Sequence, residues 1–581
     1  MISPAPNKAT RVLNLARRHF FSGAALLILP AVLMLVVVAS KFDGIHESIA
    51  LDHAQVARHV ARGEGLTTSV IRPLSLAFKA DLRHHPDLFN APLHILVVAG
   101  FFKVFGPTAR VAVGSGAVLW ILAVWMTFLV GWHWFGWRAG LLAAFLLGCN
   151  VSGVAAAVGA LPHPLYSIVT LLCVWIGLRL TGKRGVGPAR EGADNLSAAP
   201  DVEQSELAIQ PVSSRWGIIA AGAVCALAIL SHFPLGSVAI VIGWCIVLMQ
   251  PRKWKALGLF SAGFFVALAP WLIRVWTATG SPFINLYSFE ALTGTGQYPG
   301  DSIWRYAFPP DQPALFVFHH PVQAGLKLLT GLQSYRSDAV DVVDPIVLLP
   351  FLVAMFDRSF SAQWRWALRV GAAGLIVTAL VASLLRPEAP LLMAWTPLIC
   401  IVSAGWLFEW LPSYVRRMGD LVSRNARVQE RPYARAWAEW WVQAAAYGVI
   451  LILAAMPLMQ YVFVARPSGE ARMPEEFALL EKKTAAAASV LTDQPGLIAW
   501  HTNRLAVWLP QREQDLATLE QTFGPFDASL VTPAVAQLPV IQQGDWWYWV
   551  TVPKGVFHGL SPVDPSPQRP ILRVRTDIAT R

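Results

Sequence analysis

The sequence predicts a polytopic α-helical membrane protein with about eleven spans, followed by a small C-terminal α/β domain outside the membrane. Of its 581 residues, 55% are hydrophobic and only 14% are charged, and the mean hydropathy is +0.49. A soluble protein of this size cannot bury so much apolar surface, which excludes that class. Long apolar runs recur through residues 1–464, whereas residues 465–581 are more polar.

Eleven apolar segments approach the roughly 20 residues that a helix needs to cross a bilayer. They are 20–40, 111–131, 139–158, 163–180, 216–232, 234–250, 257–277, 342–357, 366–386, 388–411 and 440–464. A further segment, 91–105, is shorter and contains His94 and Lys103, so we expect it to be interfacial or re-entrant. An alternative with twelve spans stays open.

Basic clusters between the apolar segments orient the chain. The formal charge of +11 is spread over these clusters rather than collected in one patch, which argues against nucleic-acid binding. With eleven spans all of them lie on one side, which the positive-inside rule makes cytoplasmic. No cleavable signal peptide is evident, the N-terminus is then cytoplasmic, and loops 41–110 and 278–341 and residues 465–581 face outward. Loop 181–215 is predicted to be a disordered cytoplasmic linker.

Residues 465–581 show a mixed pattern that predicts an α/β domain. Helix-like stretches at 474–488 and 511–523 alternate with short β-rich runs. These runs are Leu497–Trp500, Leu505–Trp508, Trp546–Val552 and Ile571–Val574. The five cysteines of the chain all fall inside apolar segments, so we expect buried thiols rather than disulfides or metal ligands.

The stretch Ser48–Gly65 after the first span is predicted to be an amphipathic helix at the membrane surface. It carries Asp52 near its start. A carboxylate at the end of a membrane span is costly to hold there unless it is paired or functional. The simpler alternative is an acid that complements the helix dipole. Asp52, Gln55 and His59 are three and four residues apart, so they share one face and predict the wall of a polar cavity.

Other ionisable residues are predicted at the same outer level. Cations there are candidates for binding a phosphate, with membrane-interface snorkelling as the alternative. The residues of interest are Arg72, His85, Arg110, His163, Glu290, Arg305 and Arg386. Adjacent histidines such as His84 and His85 lack a defined ligand spacing, so no metal site is predicted.

The order of several short motifs resembles that of a known family. An acidic residue opens an Ala-rich helix, a His-Pro element precedes an apolar helix that ends in Phe-Gly, and an Arg follows. Here these positions are Asp52, Ala54, Ala57, Gly63, His85-Pro86, Phe105-Gly106 and Arg110. The arrangement resembles the GT-C glycosyltransferases of the protein-mannosyltransferase and aminoarabinose-transferase type. The stretch 491–510, LTDQPGLIAWHTNRLAVWLP, is similar to bacterial members.

The resemblance implies a membrane enzyme of the bacterial inner membrane. Such an enzyme takes a sugar from a polyprenyl-phosphate carrier and passes it to a lipid, glycan or protein on the outer face. Asp52 is then the catalytic base. The candidates for binding the donor phosphate or substrate are the residues at the outer level, Arg110, Arg386, Arg305, Arg72, His85, His163 and Glu290, of which Arg110, His85 and His163 fall at motif positions. The chain departs from the family pattern at His53 and His163, where acidic residues are common. No cofactor is therefore expected, although a divalent metal is allowed.

The required chemistry leaves some alternatives open. Transfer needs a base for the acceptor hydroxyl and positive charge beside the leaving phosphate. One base implies inversion at the sugar, whereas a double displacement needs a second carboxylate, for which Asp87 and Glu290 are candidates. A transporter or flippase is less favoured, because no related halves are found. An inactive protein that binds lipid-linked sugars is the other alternative.

Overall fold

The computed structural model describes most of the chain. The described residues are 28–180, 215–250, 252–282, 284–308, 313–357, 362–425, 432–464, 474–533, 535, 538–546, 555–563 and 571–575. Apart from Arg215, which begins a helix, the predicted linker 181–215 lies outside them, as do the basic residues before the first span.

Helices dominate the part of the chain up to residue 464. They are α1 (Ile28–Lys41), α2 (Ser48–Arg62), α3 (Pro73–Leu76), α4 (Pro92–Phe105), α5 (Ala109–Phe135), α6 (Trp137–Gly148), α7 (Val151–Val158), α8 (His163–Leu180), α9 (Arg215–Ser231), α10 (Gly236–Met249), α11 (Lys253–Thr279), α12 (Pro313–His319), α13 (Pro321–Val343), α14 (Pro345–Phe356), α15 (Ala362–Leu384), α16 (Thr396–Asn425) and α17 (Pro432–Phe463). Short 3₁₀ turns lie at Phe233–Leu235, Leu286–Ala291, Ser302–Arg305 and Ala389–Ala394.

The chain is a multi-pass membrane protein. Within the described residues, five helices are long and apolar enough to cross a bilayer, namely α5, α11, α15, α16 and α17. Helices α6 and α7 pass the same test together and bend by 58° at a short break. Shorter apolar helices, α1, α8, α9, α10 and α14, occupy the other predicted spans. Every predicted span therefore contains a helix, while the number of eleven crossings stays a prediction. Segment 91–105 is also a helix, α4.

The helices of residues 28–464 pack in two ways, around large buried aromatic side chains and through glycines that let two helix backbones approach closely. Trp120 and Trp395 are almost completely buried in their largest core. Helices α9 and α11 approach backbone to backbone, because a Cβ on Gly222 would lie 2.0 Å from the Phe260 carbonyl oxygen, and one on Gly263 would lie 2.0 Å from that of Ile219. All five cysteines are buried and unbridged, which confirms that prediction.

A six-stranded sheet is formed mainly by the C-terminal residues. Its strands are β1 (Val70–Ile71), β2 (Ser489–Thr492), β3 (Leu505–Trp508), β4 (Ala528–Val531), β5 (Leu560–Pro562) and β6 (Ile571–Arg575), in the order β1-β3-β2-β4-β6-β5. The first four are parallel, and β6 is antiparallel to β4 and β5. The accompanying helices are α18 (Pro474–Lys483), α19 (Pro495–Thr502), α20 (Glu513–Phe523) and α21 (Val540–Gln543).

The predicted C-terminal elements are partly correct. Leu505–Trp508 and Ile571–Val574 are strands, and helices cover most of 474–488 and 511–523. The strand predicted at Leu497–Trp500 is wrong, because this run lies in α19. Pro495 occupies the first turn of that helix, a position for which proline is preorganised, and a short apolar run alone does not separate strand from helix. Most of Trp546–Val552 lies outside the described residues.

The sheet is not confined to residues 465–581. Strand β1 comes from loop 41–110 and pairs with β3, with Val70 opposite Ala506. The Arg58 guanidinium on α2 donates to the carbonyl oxygens of Ala499 at 2.7 Å and Trp500 at 2.9 Å. These contacts join α2 and its loop to the C-terminal sheet. The boundary at residue 465 therefore omits β1, and a domain that folds independently stays a prediction.

Candidate active site

Asp52 lies on the buried face of α2, next to the loop that follows this helix. The predicted polar stripe is present: Gln55 donates to Asp52 Oδ1 at 3.1 Å and to Thr68 Oγ1 at 2.7 Å. His59 is within hydrogen-bond distance of Thr67 and Ser69. Asp52, Gln55 and His59 are three and four residues apart and therefore share one face of α2. This face contacts the loop that follows α2 rather than solvent.

The Asp52 carboxylate is ion-paired. Arg72 Nη2 lies 2.7 Å from Asp52 Oδ2, and the Arg72 guanidinium also stacks 4.0 Å from the centre of the Phe89 ring. Asn90 donates to the same Asp52 oxygen at 3.1 Å. Burial opposes ionisation of Asp52, yet the charge and hydrogen bond of Arg72, with the Asn90 hydrogen bond, hold its pKa below the ordinary value. The structure therefore keeps Asp52 as a buried carboxylate anion.

Asn90 connects Asp52 to a second buried acid and to a cavity. Its side-chain amide donates to Asp87 Oδ2 at 3.1 Å as well as to Asp52. Burial, followed by the nearby charge of Asp52, raises the pKa of Asp87. Arg274 of α11 donates to the backbone carbonyls of Asp87 at 2.9 Å and Leu66 at 2.6 Å, which fixes the loop against the membrane helices.

A small cavity, here called the first cavity, lies where several helix ends meet beside α2. Its lining includes six kinds of ionisable or hydrogen-bonding side chain, namely His, Asn, Tyr, Ser, Arg and Glu. The lining residues are Ile49, His53, Phe89, Asn90, Ala91, Pro162, His163, Tyr166, Ser231, His232, Tyr287, Arg386 and Glu388. Asp52 is not itself a lining residue, and Asn90 separates it from the cavity.

Arg386 is the cation of the first cavity, and three carboxylates surround it. Arg386 Nη1 lies 3.2 Å from Asp301 Oδ1 and 3.4 Å from Glu290 Oε1, and its Nε lies 3.8 Å from Glu388 Oε1. Burial raises the pKa of Glu290 to about 7. Lys327 of α13 donates to the backbone carbonyls of Ala291 and Thr293 and so holds the same turn.

Aromatic and histidine rings form the opposite wall. Tyr166 stacks on His232 with ring centroids 5.1 Å apart, and His163 meets Tyr166 edge-on at 5.5 Å. His232 Nε2 lies 3.5 Å from Glu388 Oε2. His53 Nδ1 is 3.0 Å from His94 Nδ1, and burial lowers the pKa of His53 to about 4. This wall presents aromatic and imidazole rings to the cavity, and such rings suit contact with a sugar or a lipid.

The structure brings some predicted site residues together and separates others. Asp52 and Arg72 form one pair, His163 and Arg386 line the first cavity, and Glu290 contacts Arg386 from behind the lining. His85 lies apart from it, with Nδ1 2.9 Å from the Asp81 carbonyl oxygen. Arg110 is exposed at the start of α5 and does not line the cavity.

Arg305 also lies away from the first cavity. Its Nε donates to the Leu509 carbonyl oxygen at 2.7 Å and its Nη1 to that of Gln542 at 2.8 Å. Arg305 thus connects loop 278–341 to the C-terminal residues, and phosphate binding by Arg305 stays a prediction. Within the described residues, no group of three or more His, Cys, Asp or Glu side chains is arranged to hold a metal ion. Chemistry without a metal stays a prediction.

Three residues of the first cavity, Asn90, Tyr287 and Glu388, are not among the predicted site residues. Glu388 follows Arg386 by two residues at the junction of the predicted spans 366–386 and 388–411, where a second charge was a usable signal. Asn90 lies in an irregular loop and Tyr287 in the short 3₁₀ turn Leu286–Ala291, and neither is long enough to show a periodicity that indicates which side chains point inward.

Comparisons with known proteins give a fold but no sequence relative. No protein-family model matches the chain, and no curated protein sequence matches it. Its structure is similar to that of ArnT from Cupriavidus metallidurans bound to undecaprenyl phosphate, with a TM-score of 0.53 and 13% identity over 96% of this chain and 98% of that one. The apo structure of the same ArnT gives a TM-score of 0.51 and 13% identity over 97% and 99% of the two chains.

A further structure is more distant. AglB, the oligosaccharyltransferase from Archaeoglobus fulgidus in complex with an inhibitory peptide and a dolichol-phosphate, has a TM-score of 0.49 and 11% identity, over 89% of this chain and 70% of that one. ArnT and AglB are GT-C fold glycosyltransferases. The end-to-end match with ArnT confirms that this chain has the GT-C fold, as the short motifs predicted.

Proposed function

We propose that the chain is a membrane glycosyltransferase that transfers a sugar from a polyprenyl-phosphate donor to an acceptor on the outer face of the membrane. The acceptor is a lipid, a glycan or a protein. The observation that carries the proposal is the buried Asp52 anion beside a cavity that Arg386 lines, within a GT-C fold. The undecaprenyl phosphate bound by the structurally similar ArnT supports the choice of donor.

Asp52 acts on the acceptor hydroxyl in this proposal. A carboxylate offers about four acceptor positions, and Gln55, Arg72 and Asn90 occupy three of them. The remaining position can accept a hydrogen bond from the acceptor and take its proton as the new bond to the sugar forms. Rotation of the Asn90 side chain would open Asp52 to the first cavity. With one base, the configuration at the sugar is inverted.

Arg386 stabilises the leaving phosphate in this proposal. A guanidinium binds phosphate through paired, charge-assisted hydrogen bonds, and it stabilises the negative charge that develops as the sugar departs. Its neighbours make this possible because Glu290, with a pKa near 7, can become neutral when the phosphate approaches. His163 and His232 line the same cavity and supply further ring nitrogens for the phosphate or the sugar.

The positive-inside pattern supports the placement of this site. The first cavity belongs to the side that loops 41–110 and 278–341 share, which the basic clusters make the outer side of a bacterial inner membrane. A polyprenyl chain is apolar, so it would remain in the bilayer while its phosphate enters at the helix ends. The carrier and the bilayer are thus the expected partners, and no cofactor is proposed.

A second candidate is an inactive binder of lipid-linked sugars. It is favoured by one observation, the close Arg72–Asp52 ion pair, which neutralises the proposed base. His163 also favours this candidate, because the glycosyltransferases that the chain resembles often have an acidic residue at this position. Both candidates bind the same donor, so only a transfer assay separates them.

The test is sugar transfer in proteoliposomes that contain the full chain. Purified protein is supplied with radiolabelled polyprenyl-phosphate sugars and a membrane lipid extract as the acceptor pool, and the product is followed by chromatography. We expect transfer by the unmodified chain and none by Asp52→Asn, with Asp341→Asn, an exposed acid at the end of α13, as the control. Equal transfer by Asp52→Asn and the unmodified chain would remove Asp52 from the mechanism. Donor binding without transfer by any form would establish the inactive binder instead.

A further inference from the structure

A second cavity lies between loop 278–341 and the C-terminal sheet, and it shares no lining residue with the first cavity. It encloses about 220 Å³, below the range of about 300–1,000 Å³ that is usual for drug-sized ligands. A ligand of about one ring therefore suits it. The lining residues are Gly300, Asp301, Ser302, Arg305, Asp493, Gln494, Trp508, Val535, Leu538 and Gln542.

The second cavity lies at the carboxyl ends of the parallel strands. From β2 the chain passes through α19 to β3 on one side, and then through α20 to β4 on the other side of β2. The strand order therefore reverses at β2, and ligands of open α/β sheets bind at such a switch point. Asp493 follows β2 and Thr532 follows β4, and Asp493 accepts hydrogen bonds from the backbone N–H of Thr532 at 2.8 Å and from its hydroxyl.

Ser302 provides an independent sign of a ligand. The residue is 3% exposed and lines the second cavity, and its hydroxyl has no hydrogen-bond partner among the described residues. A buried hydroxyl without a partner costs free energy, and such groups are rare in folded proteins. A ligand that brings its own donors and acceptors into the cavity would satisfy it.

The lining favours a neutral, hydroxyl-rich ligand over an anion. Asp301 and Asp493 contribute carboxylates, and Gln494 and Gln542 contribute amides that both donate and accept. The guanidinium of Arg305 is already engaged with backbone carbonyls, so it offers little to a phosphate. The indole of Trp508 adds an aromatic surface, whose electron-rich face attracts the C–H groups of a sugar ring.

We propose that the second cavity binds one ring of a neutral saccharide. Asp301 connects it to the first cavity, since this residue lines the second cavity and pairs with Arg386 of the first at 3.2 Å. The saccharide is accordingly assigned to the acceptor. That assignment rests on the proposed glycosyl transfer, whereas saccharide binding itself does not.

Saturation-transfer difference NMR of the full chain in lipid nanodiscs tests the proposal. The probes are methyl glucoside, methyl mannoside and methyl N-acetylglucosaminide. We expect at least one of them to receive saturation from the unmodified protein, and Ser302→Ala to weaken its binding by about fivefold through loss of one hydrogen bond. Ser529→Ala is the matched control, because Ser529 is also a buried serine without a partner in the described structure but does not line the cavity.

A steric variant and a thermal measurement complete the test. Leu538→Trp should fill the second cavity and abolish the signal. Without saccharide, the melting temperature of Ser302→Ala should equal or exceed that of the unmodified chain, because removal of an unpartnered hydroxyl breaks no hydrogen bond. The proposal is overturned if no probe gives a signal, or if Leu538→Trp and Ser302→Ala bind like the unmodified chain.

Saccharide binding to the second cavity can be tested independently of sugar transfer. Asp52→Asn should bind the probe normally, because Asp52 does not line the second cavity. Transfer without saccharide binding would refute only the second site, and saccharide binding without transfer would refute only the enzymatic role.

Discussion

The guanidinium of Arg72 lies 2.7 Å from the carboxylate of Asp52, and both side chains are largely buried. This pair joins α2 to the residue that follows β1, and β1 in turn pairs with β3 of the C-terminal sheet. The orientation of the proposed base is therefore set by the same loop that connects the membrane helices to the sheet.

Arg72→Ala should destabilise the protein strongly. Removal of one partner leaves the other as an uncompensated buried charge, which costs about 3–5 kcal/mol. Asp52 should respond with a higher pKa, since the charge that lowers it is gone. The free energy of unfolding by denaturant titration measures the effect, with Arg62→Ala, at the exposed end of α2, as the control. The double variant Arg72→Ala/Asp52→Asn should recover much of the loss, and no recovery would show that Arg72 acts mainly through its stacking on Phe89.

The helical architecture could be predicted from the sequence, because each membrane helix requires a long run of apolar residues. About 20 apolar residues are needed for each crossing, so segments such as 257–277 and 440–464 stand out without knowledge of their neighbours. The face of α2 that carries Asp52 could also be predicted, because helical spacing alone places Gln55 and His59 beside Asp52.

The site was only partly accessible, because its contacts are non-local. Asp52 meets Arg72 and Asn90 through irregular loop structure, and Arg386 meets Glu290 across almost a hundred residues of chain. Neither spacing nor composition ranks Arg386 above Arg110, yet one lines the first cavity and the other is exposed. Strand β1 was missed for a related reason, since two residues carry no periodicity.

The pKa of Glu290 predicts a specific pH dependence of stability. Burial raises it from 4.5 to about 7 in the folded protein, so between these values the folded state binds more protons than the unfolded state. The contribution of Glu290 to the free energy of unfolding should therefore fall by up to about 3 kcal/mol as the pH rises from 4.5 to 7, and add no slope above 7. Buried histidines such as His53, whose pKa is lowered to about 4, act in the opposite direction, so the slope is read from the difference between the unmodified chain and a Glu290 variant. Glu290→Gln should remove this slope and be more stable than the unmodified chain at pH 8.

Unfolding titrations at pH 5 and pH 8 measure this difference. Glu475→Gln, at an exposed position in α18, is the control and should follow the unmodified chain at both values. An unchanged slope in Glu290→Gln would assign the pH dependence to another group.

The contact between α9 and α11 predicts a position-specific effect of alanine. A methyl group on Gly222 would meet the Phe260 carbonyl oxygen at 2.0 Å, so the helices must move apart. Gly222→Ala should cost about 1–3 kcal/mol, as overpacking does in cores. Gly258→Ala on α11 is the matched control, because nothing lies within 4 Å of its Cβ, and alanine there favours the helix by about 1 kcal/mol. Similar melting temperatures for the two variants would contradict this packing.

The membrane topology predicts an alternating pattern of cysteine labelling in intact cells. His84, Lys255 and Glu475 are exposed, and all five native cysteines are buried and give a low background. With eleven spans, an impermeant maleimide should label His84→Cys and Glu475→Cys from outside, and Lys255→Cys only after the membrane is opened. If α4 also crosses the membrane, Lys255→Cys should be labelled from outside and Glu475→Cys only after the membrane is opened. The labelling of His84→Cys should not change, because His84 precedes α4. Labelling of Lys255→Cys in sealed cells would therefore favour the twelve-span alternative. That topology puts β1 and β3 on opposite sides of the membrane, in conflict with their pairing.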